Sequence, residues 1–453
     1  MAEHRGGTGP GGRGRRRGRP AVRLVALALA GAGLVGVTAP AAGALGTAGP
    51  VAVVTVTAAQ DPAQDAVGRG PLKDVDPRAL DAAVQAIVDS GGASASLARV
   101  GKYGRTRWKG AAGTADYATG APASATGRFR IGSVTKTFVS TVVLQLVAEG
   151  RLGLDDPVER LLPGAVPNGA NITLRQLLNH TSGLFDYTED HVFDPTAPGS
   201  LERWLESGRY TRWTPQQLIA LANNHPAYFP PGQGYHYSNT DYILAGQIIE
   251  RTTGRTWQQE VERRIIRPLG LTGTSMPDHE TAVPGPHAHG YFDLPTGRVD
   301  VTDLDPSMAG ASGAGISTTA DLNTFITALL GRRLLPRPQL AEMMTVTPQS
   351  QGGYGLGLER TTTDCGELWG HTGGIPGFST FLYTSPDLRR QLSVSMNGSG
   401  LSTPLPTRKA FEKLLGSVFG CDHDVLDLAG RGRAGPPGAA GRGGGAAGSV
   451  GPG

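Results

Sequence analysis

Apolar and polar positions change their period several times along the chain. Over Asp76–Val88 (DPRALDAAVQAIV) the apolar residues recur at helical spacing. Residues 93–113 instead alternate and turn like a pair of strands. After Ser133 the spacing is helical again, with Val134, Phe138, Val142, Leu144 and Val147 near i, i+3/4 spacing and Gly150 as the stop. Several amphipathic stretches follow, among them TPQQLIALANN and DYILAGQIIERTTG. Strand signals return at Tyr354–Leu358, Glu367–His371, Phe378–Tyr383 and Gln391–Met396. The last two flank a turn rich in Ser, Pro and Asp, which predicts an antiparallel hairpin. A helix over about Arg408–Val418 closes the series. The order is helix, strands, a long helical insert, strands, helix. It predicts an α/β fold: an antiparallel sheet flanked by N- and C-terminal helices, with an inserted mainly α lobe at about 155–330.

The two ends read differently. Leu24–Thr38 is an apolar run of signal-peptide length, too short for a comfortable membrane span, and it follows the basic stretch Arg13–Arg19. Small residues come next, and cleavage after Ala41 or Ala44 would suit them. Residues 1–44 thus read as an export signal, with an uncleaved anchor as the alternative, and residues 45–74 as a linker. A secreted, extracellular protein without a stable membrane anchor is expected. The Gly/Pro-rich tail 426–453 has little to bury and reads as disordered.

Composition narrows the function classes. The net charge of +4 over 453 residues is modest and sits largely at the termini, so no nucleic-acid partner is expected. There are two cysteines, Cys365 and Cys421. In an exported chain an even pair suggests one disulfide. No CxxC or Cys/His cluster suits zinc, and His287-Ala-His289 lies in a Pro/Gly loop that reads as solvated, so no metal is expected.

Of 42 Lys plus Arg, six are Lys, and Lys136 alone among them follows a Ser by three residues, in Ile131-Gly-Ser-Val-Thr-Lys-Thr-Phe138. Residues i and i+3 of a helix share a face, with Cβ atoms about 5–6 Å apart. Ser133 needs a base to become a nucleophile. Lys136 can be that base if burial or the helix N-terminus lowers its pKa, whereas Arg does not deprotonate. By itself the motif is weak, because about one SxxK arises by chance in a chain of this length. Tyr237-Ser-Asn239 stands before a second helix and presents a phenol and an amide together. A Tyr237 phenolate stabilised by Lys136 is a plausible base; an ordinary N-cap with a packing Tyr is the alternative. His371-Thr-Gly-Gly374 lies between strand signals. Its small residues would let a substrate backbone lie along the strand edge, and a backbone N–H there could join that of Ser133 in an oxyanion hole. A glycine-rich turn is the bland reading.

The three motifs in this order resemble those of the serine β-lactamase and penicillin-binding protein superfamily, over about residues 75–425. Leu177–Leu184 (LLNHTSGL) and Gly310–Leu322 (GASGAGISTTADL) are further phrases of that kind. The resemblance is to the class C β-lactamase-like branch, and within it to secreted actinomycete D-alanyl-D-alanine carboxypeptidases, which similarly have His before Thr-Gly and a disulfide around the same strands. It implies that Ser133 is acylated, that Lys136 and Tyr237 share proton transfer, and that Asn239 binds the substrate amide. It further implies that His371 places a terminal carboxylate or relays protons, that Thr372 contacts substrate, and that the Gly374 N–H completes the oxyanion hole. Arg360 is the candidate for the arginine that holds the substrate carboxylate. A monomeric serine D-alanyl-D-alanine carboxypeptidase is expected, with peptidoglycan stem peptides or small D-amino-acid peptides as donors, β-lactams as inhibitors or substrates, and no cofactor. A class C-like β-lactamase, a broad esterase or a D-amino-acid amidase is the alternative, and a non-catalytic penicillin-binding regulatory domain ranks below these.

Overall fold

The computed structural model describes residues 75–421, apart from 195, 196, 198, 295, 365 and 399–404. The export signal, the linker, the tail and Cys365 lie outside the described residues. Helix α1 (Pro77–Asp89) begins where Asp76 accepts the backbone N–H of Arg78 and Pro77 fixes the first turn. Strands β1 (Ala95–Lys102), β2 (Arg105–Asp116) and β3 (Ala121–Pro122) follow, then the short β4 (Phe129–Arg130) and helix α2 (Val134–Ala148). The α lobe holds the hairpin of β5 (Tyr291–Leu294) and β6 (Gly297–Asp300), and ends near β7 (Ile316–Ser317), which pairs with β4. Four strands complete the sheet: β8 (Glu359–Thr363), β9 (Gly366–Ile375), β10 (Phe378–Thr384) and β11 (Gln391–Asn397). The last helix is Leu405–Phe419.

The seven-stranded sheet runs β3-β2-β1-β11-β10-β9-β8, antiparallel at every pairing. Its period of two separates two cores. Ala98, Val100, Val394 and Met396 face α1 and the last helix, meeting Leu80, Val84, Phe411 and Leu414. Leu97 and Leu382 face the other way, toward α2 and the lobe. The sheet, both flanking helices and the inserted lobe are those expected from the sequence.

Two expectations change. Helix α2 is buried on almost every side, from Val134 through Leu146, because it runs between the sheet and the lobe. Tyr354–Leu358 is not a strand. The Gly355 N–H bonds back to the Leu358 carbonyl, and Gly357 has φ +75°. That left-handed turn delivers the chain into β8 at Glu359.

The sheet edge next to α2 is built for close approach. A Cβ on Gly373 would lie 2.0 Å from the Ile131 carbonyl oxygen and 3.1 Å from the Ser133 nitrogen, whereas a Cβ on Gly374 would meet nothing within 4 Å. Gly373 therefore seals β9 against the start of α2, and Gly374 borders open space. We expect Gly373→Ala to lower stability by about 1–3 kcal/mol, as overpacking does. Gly374→Ala should melt within about 0.5 kcal/mol of the parent, the usual range for an open position. Thermal or denaturant melts of the two variants check this ordering.

Candidate active site

Ser133 caps α2 in an αR conformation, and its side chain makes no capping bond. The hydroxyl is left to Lys136, whose Nζ stands 3.0 Å from Ser133 Oγ. Lys136 Nζ also donates to Asn239 Oδ1 at 2.7 Å and to the Ser312 carbonyl at 2.9 Å. The side chain is fully buried. Burial brings its pKa from 10.5 down to about 7, against the opposing pull of Asp186, Asp241 and Glu359. A neutral Lys136 can donate to Asn239 and Ser312 while accepting the Ser133 proton.

Asn239 opens the helix Asn239–Thr253. Its Nδ2 donates to Asp186 Oδ2 at 3.0 Å and to Thr188 Oγ1 at 3.3 Å, which fixes its oxygen toward Lys136. Burial raises Asp186 to about 6. Tyr237 lies beside the same pair, its ring centroid 4.7 Å from Lys136 Nζ. Burial pushes the phenol well above its ordinary range. A standing Tyr237 phenolate is therefore disfavoured, whereas Lys136 can be neutral near pH 7. Behind Tyr237 lies His180, at φ +60°, its ring centroid 4.3 Å from that of Tyr237 and its Nδ1 3.0 Å from Asp241 Oδ2.

The third motif lies in β9. Beyond Gly370, β9 pairs with β10 but no longer with β8, so Thr372–Ile375 is an open edge. A Cβ on Gly132, at φ +50°, would come 2.7 Å from the Gly374 nitrogen, so the Gly374 N–H stands beside the entry to α2 and the Ser133 N–H. His371 is buried, and burial lowers its pKa. Both its nitrogens are engaged: Nδ1 with the Thr372 carbonyl at 2.5 Å, and Nε2 with the Tyr354 hydroxyl at 2.8 Å. It offers no permanent cation to a carboxylate.

Arg360 is not brought to Ser133. Its guanidinium bonds the Gly352 carbonyl at 2.7 Å and Glu367 Oε1 at 3.2 Å, because successive strand residues point to opposite faces. The preceding residue, Glu359, turns toward the cleft instead and accepts from Thr372. Cys421 is buried, with Sγ 3.9 Å from Thr363 Oγ1 near the β8–β9 turn. Its expected partner, Cys365, lies outside the described residues. Asp186, Thr188, Ser312, Tyr354 and Glu359 were missed from sequence. The phrases containing His180 and Ser312 were noticed but given no role.

Residues 80–416 match the family model described as Beta-lactamase. The chain belongs to the beta-lactamase family. It is a serine hydrolase of the beta-lactamase and penicillin-binding protein superfamily. It is similar to Penicillin-binding protein 4* of Bacillus subtilis, 28% identical over 66% of this chain and 66% of that protein, just under two thirds of the relative's own length. Among solved structures it resembles a D-stereospecific amidohydrolase from Streptomyces sp., at 42% identity and TM-score 0.68, covering 76% of this chain and 98% of that one. The D-amino acid amidase from Ochrobactrum anthropi is 28% identical at TM-score 0.65, covering 75% and 98%. As in any member of this family that works through a serine, the attacking oxygen must lose its proton, and here Lys136 is placed to take it.

The direction of the pH effect follows. Lys136 is active when neutral, so the rate of Ser133 acylation should rise about tenfold per unit below pH 7 and level off above it. Lys136→Arg should cut the plateau by on the order of 10²–10⁴-fold, since Arg keeps its proton. Stopped-flow acylation by a chromogenic ester from pH 5 to 9 checks both.

Proposed function

We propose that the chain is a serine amidohydrolase acting on D-amino-acid amides and peptides through a Ser133 acyl-enzyme. One observation carries the reading: a buried Lys136 with a pKa near 7 touches Ser133 beside an unpaired strand edge. The likeness to a D-stereospecific amidohydrolase and a D-amino acid amidase supports the configuration of the donor. In the reaction, the donor carbonyl sits between the N–H groups of Ser133 and Gly374. Lys136 takes the Ser133 proton as Oγ bonds to the carbonyl carbon, and the electron pair moves to the oxyanion. Collapse breaks the C–N bond. The proton returns from Lys136, by way of the Tyr237 hydroxyl, to the departing nitrogen. Water then repeats the sequence on the ester with Lys136 as base, and Ser133 is released.

Donors that end in D-alanyl-D-alanine are the expectation from sequence, but holding their terminal carboxylate calls for a cation. Neither the engaged His371 nor the outward Arg360 supplies one, which favours the amidohydrolase among the readings weighed. A β-lactam would acylate the same Ser133. Export and a Cys365–Cys421 disulfide remain part of the proposal on the strength of the sequence.

D-phenylalanine amide should be cleaved about 100-fold faster than the L-enantiomer in kcat/KM, a discrimination of the size that misfit of a side chain in its pocket gives. Intact-mass spectrometry after incubation with a fluorescent penicillin should show one adduct, on Ser133. Ser133→Ala should lose both label and turnover, by on the order of 10⁴-fold or more. Equal rates on both enantiomers, or an adduct elsewhere, would sink the reading.

A further inference from the structure

Glu359 is the first residue of β8, opposite Gly370 in β9. There the β8–β9 ladder stops, and the carboxylate reaches on to the next residue but one. Oε2 accepts the backbone N–H of Thr372 at 3.1 Å, and Oε1 accepts the Thr372 hydroxyl at 3.0 Å. His371 Nδ1 lies 3.4 Å from Oε1. The Glu359 side chain is 12% exposed, so its charge is only weakly screened.

The neighbourhood does not neutralise it. His371 already gives Nδ1 to the Thr372 carbonyl and has its pKa lowered by burial. Arg360 is turned to Gly352 and Glu367. Among the described residues, His371 is the one cationic type within ion-pair distance of Glu359. The charge is felt within the site, since it is among those that act on Lys136.

Thr372 lies two residues before Gly374, on the side of the cleft where the family resemblance puts the terminus of the departing group; Asn239 lies on the acyl side. A carboxylate-terminated leaving group would need the Thr372 N–H and O–H, and a cation beyond them. Both donors are already occupied by a carboxylate of the chain itself, and among the described residues no fixed cation pairs with it. An incoming anion would lose those hydrogen bonds and face a like charge at close range. An amide or amine terminus would instead find an acceptor in Glu359.

We propose that Glu359 makes the leaving-group side of the cleft anionic, so that the enzyme selects donors whose departing group ends in a neutral amide or a cationic amine and rejects those ending in a carboxylate. This rests on the acyl-enzyme reading above. It makes Glu359 the specificity-determining residue for the departing group, and it identifies the substrates as D-aminoacyl amides and amidated or amine-terminated peptides rather than free-acid dipeptides.

The test uses the full-chain enzyme and three donors with one acyl group: D-phenylalanyl-D-alanine, its C-terminal amide, and the D-phenylalanyl monoamide of ethylenediamine. In the parent enzyme kcat/KM for the amide and the amine-terminated donor should exceed that for the free acid by about 30-fold or more, as like-charge repulsion in a partly buried site implies. Glu359→Gln should narrow the gap to about threefold, chiefly by speeding the free acid; each ratio is taken within one enzyme, so it does not depend on the folded fraction. Parent rates that are equal on the acid and the amide overturn the inference, as does an unchanged ratio in Glu359→Gln. If that variant does not fold, the parent ranking alone decides. Cleavage of none of the three overturns the acyl-enzyme reading together with this inference, whereas cleavage without charge preference overturns this inference alone.

Discussion

Complete burial of the Lys136 amine is the constraint around which the site is arranged. An ammonium removed from water needs hydrogen-bond acceptors or must lose its proton. The chain supplies Ser133 Oγ, Asn239 Oδ1 and the Ser312 carbonyl, each from a different part of the sequence. The two options stay close in energy, so the pKa falls to about 7 rather than collapsing. Asp186 belongs to the same balance: it orients Asn239, and its negative charge favours the protonated lysine. A base poised near the working pH is the product of this compromise.

The second constraint is geometric. Ser133 must meet a backbone N–H from β9, and this is possible because Gly132 and Gly373 have no side chains between the two segments. Beyond Gly370, β9 has no partner on the β8 side, so its Thr372–Ile375 edge can receive an extended donor. Glu359 sits where β8 begins and places a carboxylate at one end of that edge. Ser133 and Lys136 on α2, the Gly374 N–H on β9 and the Glu359 carboxylate on β8 are thus brought together from three elements.

Much of this was legible in the sequence because it depends on local period. The i,i+3 spacing of Ser133 and Lys136, the β10–β11 hairpin and the flanking helices are short-range features. What was not legible depends on register or on long-range packing. Adjacent strand residues face opposite ways, so a one-residue difference at the start of β8 exchanges the cation of Arg360 for the anion of Glu359. Tyr354 was read as strand because YGLGL alternates, but its glycines make a turn that brings the hydroxyl to His371. Asp186 and Thr188 belong to the single 3-10 turn Tyr187–Glu189 and its cap, too short to show a period, and only long-range packing brings them to Asn239. The Tyr237 phenolate that Tyr237-Ser-Asn239 suggests beside a lysine depends on exposure, and full burial removes that option.

The central claim is that Lys136 is a neutral-capable base, and its own titration tests this most directly. With six lysines in the chain, selectively labelled lysine Nζ resonances can be followed one by one against pH, with Lys136 assigned by its loss in Lys136→Arg. The account predicts that Lys136 titrates near pH 7, far from the ordinary lysine range. A Lys136 that holds its proton to about pH 10, the ordinary range of a lysine side chain, would contradict it.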